Sequence, residues 1–109
     1  MSRYCFALDL KNDEQLIAEY EKHHQQVWPE IIQSIKDSGI LFLEIYRVSN
    51  RLFMIMETKD DFSFEAKKKI DASNNKVQEW ETLMWKYQQT LPIAKLDEKW
   101  MLMKKIFSL

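Results

Sequence analysis

The chain has 109 residues, 46% of them apolar, and 16 basic against 17 acidic side chains leave a net charge of −1. This length suits one domain spanning residues 1–109 and excludes two separate cores. The apolar share excludes a disordered chain. So even a charge balance also excludes the broad basic footprint of a nucleic-acid binder.

The single cysteine, Cys5, excludes an internal disulfide and, by itself, a thiolate metal site. Set in an apolar run, it reads as a buried, inert thiol. No apolar stretch approaches the ~20 residues of a membrane span, and the first residues lack the pattern of a secretory signal. The expected setting is the cytoplasm, with no membrane partner. One Gly and two Pro leave little room for long loops. A domain this small buries a modest fraction of its surface, so a homodimer interface is expected to add burial.

Tyr4 to Leu10 predicts a strand, mostly apolar and ending at the polar Lys11-Asn12. Asn12 or Asp13 can cap a helix whose first turn carries Glu14 at the positive end of the dipole. Leu16, Tyr20 and His24 recur every four residues and so share one face of it. Pro29 suits the first turn of a second helix, through Ile31, Ile32 and Ile35, and Gly39 stands where a left-handed cap is wanted. Ile40–Val48 and Leu52–Thr58 read as a hairpin joined by Ser49-Asn50-Arg51. Asp61 can cap a third helix through Phe62, Phe64 and Ala66, broken at Ser73-Asn74-Asn75. Its Lys67-Lys68-Lys69 run reads as a solvated face.

A fourth helix carries Val77, Trp80, Leu83, Met84 and Tyr87 and stops before Pro92. Trp100 to Phe107 predicts a last strand with Trp100, Leu102 and Ile106 on one side. The order βααββααβ implies a ferredoxin-like α+β sandwich of the dimeric α/β-barrel type. Its helices cover one sheet face and leave the other needing a partner, a ligand or both.

No Gly-rich phosphate loop, zinc-type Cys/His spacing or Gly-x-Ser-x-Gly elbow occurs. What remains is acid/base chemistry by His, Glu, Asp and Tyr. His24 titrates near neutrality and can both give and take a proton. From spacing alone a histidine satisfied in a helix–sheet seam is the commoner reading. His23, about 100 degrees round the helix, is expected to be exposed, and the two histidines alone are too few to hold a metal. Glu44 is an acid within an apolar strand, sharing a face with Phe42 and Tyr46. It reads either as a carboxylate facing a closed cavity or as a charge reaching water. Glu57 reads chiefly as the latter. Trp80 and Trp85 suit a sugar-stacking wall or plain core.

The stretch Tyr20-x-x-x-His24-x-x-x-Trp28-Pro29-Glu30, then Gly39 and Ile45-Tyr46, resembles the L-rhamnose mutarotase family. Leu52-Phe53 and Ala72-Ser73 followed by Gln78-x-Trp80 add support, so the likeness covers nearly the whole chain. The resemblance implies a dimeric ferredoxin-like enzyme that exchanges sugar anomers without cofactor or metal. It implies His24 as the proton-transferring histidine, Tyr20 as a substrate contact and Trp80 as the first member of a Trp-Trp pair. The second member is Glu81 here, unless Trp85 takes its place, and a pocket tyrosine is replaced by Leu43.

The expected reaction is thus the interconversion of the α and β anomers of a 6-deoxy-L-sugar, L-fucose favoured over L-rhamnose. His24 is expected to donate to the ring oxygen, Tyr20 to orient a hydroxyl and Trp80 to form an apolar wall. Glu44 is the candidate second proton-handling or hydroxyl-binding group. A monosaccharide is then the only small-molecule partner. Two rival readings share the architecture: a dimeric α+β-barrel monooxygenase, carried by fold analogy alone, and a non-catalytic metabolite-sensing dimer.

Overall fold

The computed structural model describes residues 1–96 and 98–109. Strand β1 (Ser2–Leu10) leads into α1 (Glu14–Gln25) and α2 (Pro29–Asp37), then the hairpin β2 (Ile40–Val48) and β3 (Arg51–Thr58). Helices α3 (Phe64–Ser73) and α4 (Asn75–Trp85) follow, with two short strands, β4 (Gln88–Gln89) and β5 (Met101–Leu102). The sheet runs antiparallel in the order β2-β3-β1-β4, the ferredoxin-like arrangement that the element order implies.

The helix boundaries follow from their caps. Asp13 accepts from the Leu16 amide at 2.9 Å and starts α1. Pro29 opens α2 without a side-chain cap. Gly39, at φ 93°, makes the left-handed turn into β2, a conformation that side chains disfavour. Asn74 accepts from the amides of Lys76 and Val77 and divides α3 from α4.

Period-2 alternation decides which side chains meet the helices. Leu8, Leu10 and Leu52 on the helix-covered face are 0–2% exposed, each burial contributing ~1.5–3 kcal/mol. Tyr20, Ile31, Val77, Trp80 and Met84 close over them from α1, α2 and α4. Residues on the other face include Tyr46, Phe53, Ile55 and Ala7. Two ion pairs frame that face: Arg51 grips the buried Asp9 through Nε at 2.7 Å and Nη2 at 3.1 Å, and Arg3 Nη2 meets Glu57 at 2.6 Å.

Several boundaries depart from expectation. Ser63, not Asp61, caps α3, because its hydroxyl accepts from the Ala66 amide; Phe62 stays outside the helix and stacks edge-on against Phe64. Arg51 belongs to β3, leaving a two-residue turn at Ser49-Asn50 that is tied to Leu10 by Asn50 Nδ2 at 3.0 Å. Helix α4 ends at Trp85, and buried Tyr87 lies beyond it. The expected strand from Trp100 to Phe107 shrinks to β5, which pairs with Phe6 and Ala7, and β4, where the fourth helix was expected to continue, pairs with Asp9 and Leu10 on the same edge of β1. After Met103 donates to the Cys5 carbonyl the ladder stops, and Ile106 is 90% exposed.

Candidate active site

Between the sheet and the helices lies a cavity of about 600 Å³, within the usual size range of small-molecule sites. Helix α1 points Tyr20 and His24 into it, one turn apart, and their rings lie 4.4 Å between centroids. Trp80 on α4 forms the adjoining wall, edge-on to His24 at 5.6 Å and to Trp28 at 5.1 Å. The expected trio is therefore assembled at one place.

His24 Nδ1 donates to the Tyr20 carbonyl at 2.9 Å. That bond selects the tautomer and leaves Nε2 as the lone-pair nitrogen. Burial holds the imidazole below its ordinary pKa, with the neighbouring His23 adding to the effect and the Tyr20 carbonyl opposing it. The resting ring is thus neutral at neutral pH. It must take a proton before it can give one.

Burial pushes the Tyr20 phenol up to about 12, against the bond from Gln88 and with the help of the nearby Glu81 charge. Tyr20 is accordingly a hydroxyl, never a phenolate, under ordinary conditions. Gln88 Nε2 donates to Tyr20 Oη at 3.2 Å from the opposite wall. Sequence reasoning missed Gln88, because a two-residue strand shows no periodicity; its place between the apolar Tyr87 and Leu91 was the available signal.

Glu44 does not join this group. Leu43 and Ile45 line the cavity, so the alternation of β2 turns Glu44 to the opposite face of the sheet. There it is paired across the ladder with Ile55 and accepts from Tyr46 Oη at 2.8 Å. The shared face with Tyr46 was read correctly, but that face looks away from the cavity. Glu81, by contrast, lines the cavity in an ion pair with Lys99. Trp85 lies on the exposed side, with Lys99 Nζ 4.9 Å above its ring. Of the two candidates for the second position of the aromatic pair, Glu81 is the one that lines the cavity. Lys67, read as solvated, pairs with Asp71 at the cavity wall.

His23 is also less exposed than its helical angle suggested. It reaches sideways to Tyr87 Oη at 3.1 Å, and that hydroxyl donates to Glu19 at 3.2 Å. Among the described residues no group of three His, Cys, Asp or Glu side chains could hold a metal, and no helix is long and apolar enough to cross a membrane.

The family model described as L-rhamnose mutarotase matches residues 3–109. An L-fucose mutarotase from Xanthomonas campestris pv. campestris is 43% identical, over all of this chain and 89% of its own length. Among solved structures, an L-rhamnose mutarotase from Formosa agariphila superimposes with a TM-score of 0.74 at 23% identity, covering 100% of this chain and 99% of its own. The tetracenomycin F2 cyclase of Streptomyces glaucescens shares the fold at a TM-score of 0.60 and 14% identity, over 100% and 97% of the two chains. The last likeness shows that this architecture serves other chemistry, so it is the sequence match along the whole chain, with Tyr20, His24 and Trp80 gathered round one cavity, that makes this protein a member of the L-rhamnose mutarotase family and an enzyme that interconverts sugar anomers.

Proposed function

We propose that this mutarotase, a single cytoplasmic domain needing no cofactor, acts on 6-deoxy-L-sugars and prefers L-fucose to L-rhamnose. The observation that carries the reading is the tautomer-fixed His24 beside Tyr20 in an apolar-walled cavity. The sugar preference rests on Leu43 and Glu81, which replace two aromatics expected of a rhamnose-type pocket, and on the name of the Xanthomonas relative.

His24 performs the proton transfer. In the opening step Nε2 takes the proton of the anomeric hydroxyl as the bond between C1 and the ring oxygen breaks. The imidazolium then returns that proton to the ring oxygen, which gives the open aldehyde with no net gain or loss. Both oxygens hang from C1, so one imidazole reaches each in turn. Rotation about C1–C2 offers the other carbonyl face, and the reverse steps close the ring. The donor role expected for His24 is thus its second act. Tyr20 donates to a sugar hydroxyl, and Trp80 covers an apolar ring face.

Saturation-transfer NMR on L-fucose, L-rhamnose and D-sugars tests this. L-fucose is expected to exchange fastest. Equal or reversed rates on the two 6-deoxy-L-sugars would remove the preference and leave the mutarotase intact.

The sheet face away from the helices supports a homodimer. Tyr46 and Val48 are 53% and 73% exposed there, beside the partly exposed Phe53 and Ile55. Exposed apolar surface of this kind is usually covered by a partner. Sedimentation is expected to give a dimer at micromolar concentration, and a stable monomer would count against it.

A further inference from the structure

Three polar side chains are buried among the described residues: Asp9, Thr58 and Gln88. Arg51 satisfies Asp9, and the Thr58 hydroxyl donates to the Lys59 carbonyl at 3.1 Å. Gln88 differs. It is 4% exposed and lines the cavity; its Nε2 is engaged by Tyr20, yet its Oε1 has no hydrogen-bond partner among the described residues. A dry, unpaired amide oxygen is costly and calls for a ligand or an ordered water. Four of the cavity's charged groups are paired already, Glu81 with Lys99 and Lys67 with Asp71. One Asp71 oxygen is also unpartnered, but its carboxylate is paired with Lys67 and 24% exposed.

The geometry points to Gln88 as a specificity-determining residue, whose Oε1 accepts from a sugar hydroxyl while its Nε2 turns the Tyr20 hydroxyl hydrogen toward the same sugar. With one Tyr20 lone pair occupied by the amide, the phenol is left to donate into the cavity. Acceptor and donor then stand side by side, the complement of a hydroxyl, which both gives and takes. A hydroxyl also satisfies the amide in its reversed orientation. Gln88 handles no reacting proton, so its effect falls on substrate binding and on discrimination between sugars. The inference rests on the mutarotase reading above.

The test crosses enzyme variants with substrate analogues. Wild type and Gln88→Leu are compared by anomer exchange on L-fucose and its 2-, 3- and 4-deoxy derivatives, each rate divided by the spontaneous rate of that sugar. Wild type is expected to lose about tenfold in kcat/KM on one derivative, chiefly in KM, as the loss of one good hydrogen bond implies. Gln88→Leu is expected to lose as much on L-fucose and nothing further on that derivative, with its melting temperature near that of wild type. Should Gln88→Leu fail to fold, the unbranched Gln88→Met takes its place in the same cycle. Equal losses on all four sugars in a folded variant, or a deoxy penalty unchanged by the substitution, would overturn the role of Gln88. A wild-type protein inert on every sugar would instead overturn the mutarotase reading.

Discussion

Replacing His24 by alanine is expected to abolish most of the acceleration, about 10²–10⁴-fold in exchange rate, with little change in stability. The ring is only half-buried, and its one bond goes to a carbonyl of its own helix, so the fold depends on it weakly. His23→Ala is expected to do the opposite. It removes the bond to Tyr87 Oη, which joins α1 to the segment after α4, and costs about 0.5–1.5 kcal/mol while exchange persists. Exchange rates and melting curves on both variants separate the roles, and full activity in a folded His24→Ala protein would end the assignment.

The same chemistry sets a pH dependence. Nε2 must be unprotonated to begin, and burial holds His24 below the ordinary imidazole value of 6.5. The enzyme-catalysed rate is therefore expected to be level through neutrality and to fall only as pH drops through that lowered pKa. An activity that rises over that acid range would instead mark the imidazolium as the resting donor. Stability carries the same sign: the unfolded chain binds the proton more readily, so the His24 contribution is present above the unfolded pKa and lost as pH falls through the folded one.

Trp80→Ala is expected to be the most damaging substitution to the fold among the cavity residues, at about 3–5 kcal/mol. Trp80 is 7% exposed and packs within the main core cluster as well as against His24 and Trp28. A loss of that size is a large part of the ~5–15 kcal/mol that holds a typical domain together. Chemical denaturation measures it directly. Trp80→Phe keeps an aromatic wall and is expected to remain folded, with KM raised and kcat nearly unchanged. A fall in kcat alone would mean that Trp80 positions His24 and does not cover the sugar.

Most of the architecture was legible in local chemistry. Caps and breakers are short-range, so Asp13, Pro29, Gly39 and Asn74 mark helix ends whatever the rest of the chain does. The four-residue spacing of Tyr20 and His24 likewise fixes a shared face before any packing is known. Where the reading failed, the deciding contact came from far along the chain. Period-2 alternation put Glu44 with Tyr46, but only the docking of α1 and α4 over Leu43 and Ile45 decided which face became the cavity. The cap of α3 is a local exception: Asp61 was expected, but Ser63 holds the Ala66 amide while Phe62 packs beside Phe64 outside the helix. The last strand is short, with β5 on Phe6 and Ala7 and the unexpected β4 on Asp9 and Leu10 of the same β1 edge. Gln88 entered the site because β4 pairs with Leu10, a residue 78 positions away in sequence. The sequence by itself determined the helices, the first three strands and the face that carries His24, because those follow from bonds and periodicities a few residues long. Tertiary structure alone decided which side of the sheet is the pocket and which polar groups meet there, because burial is settled between segments brought together only by folding.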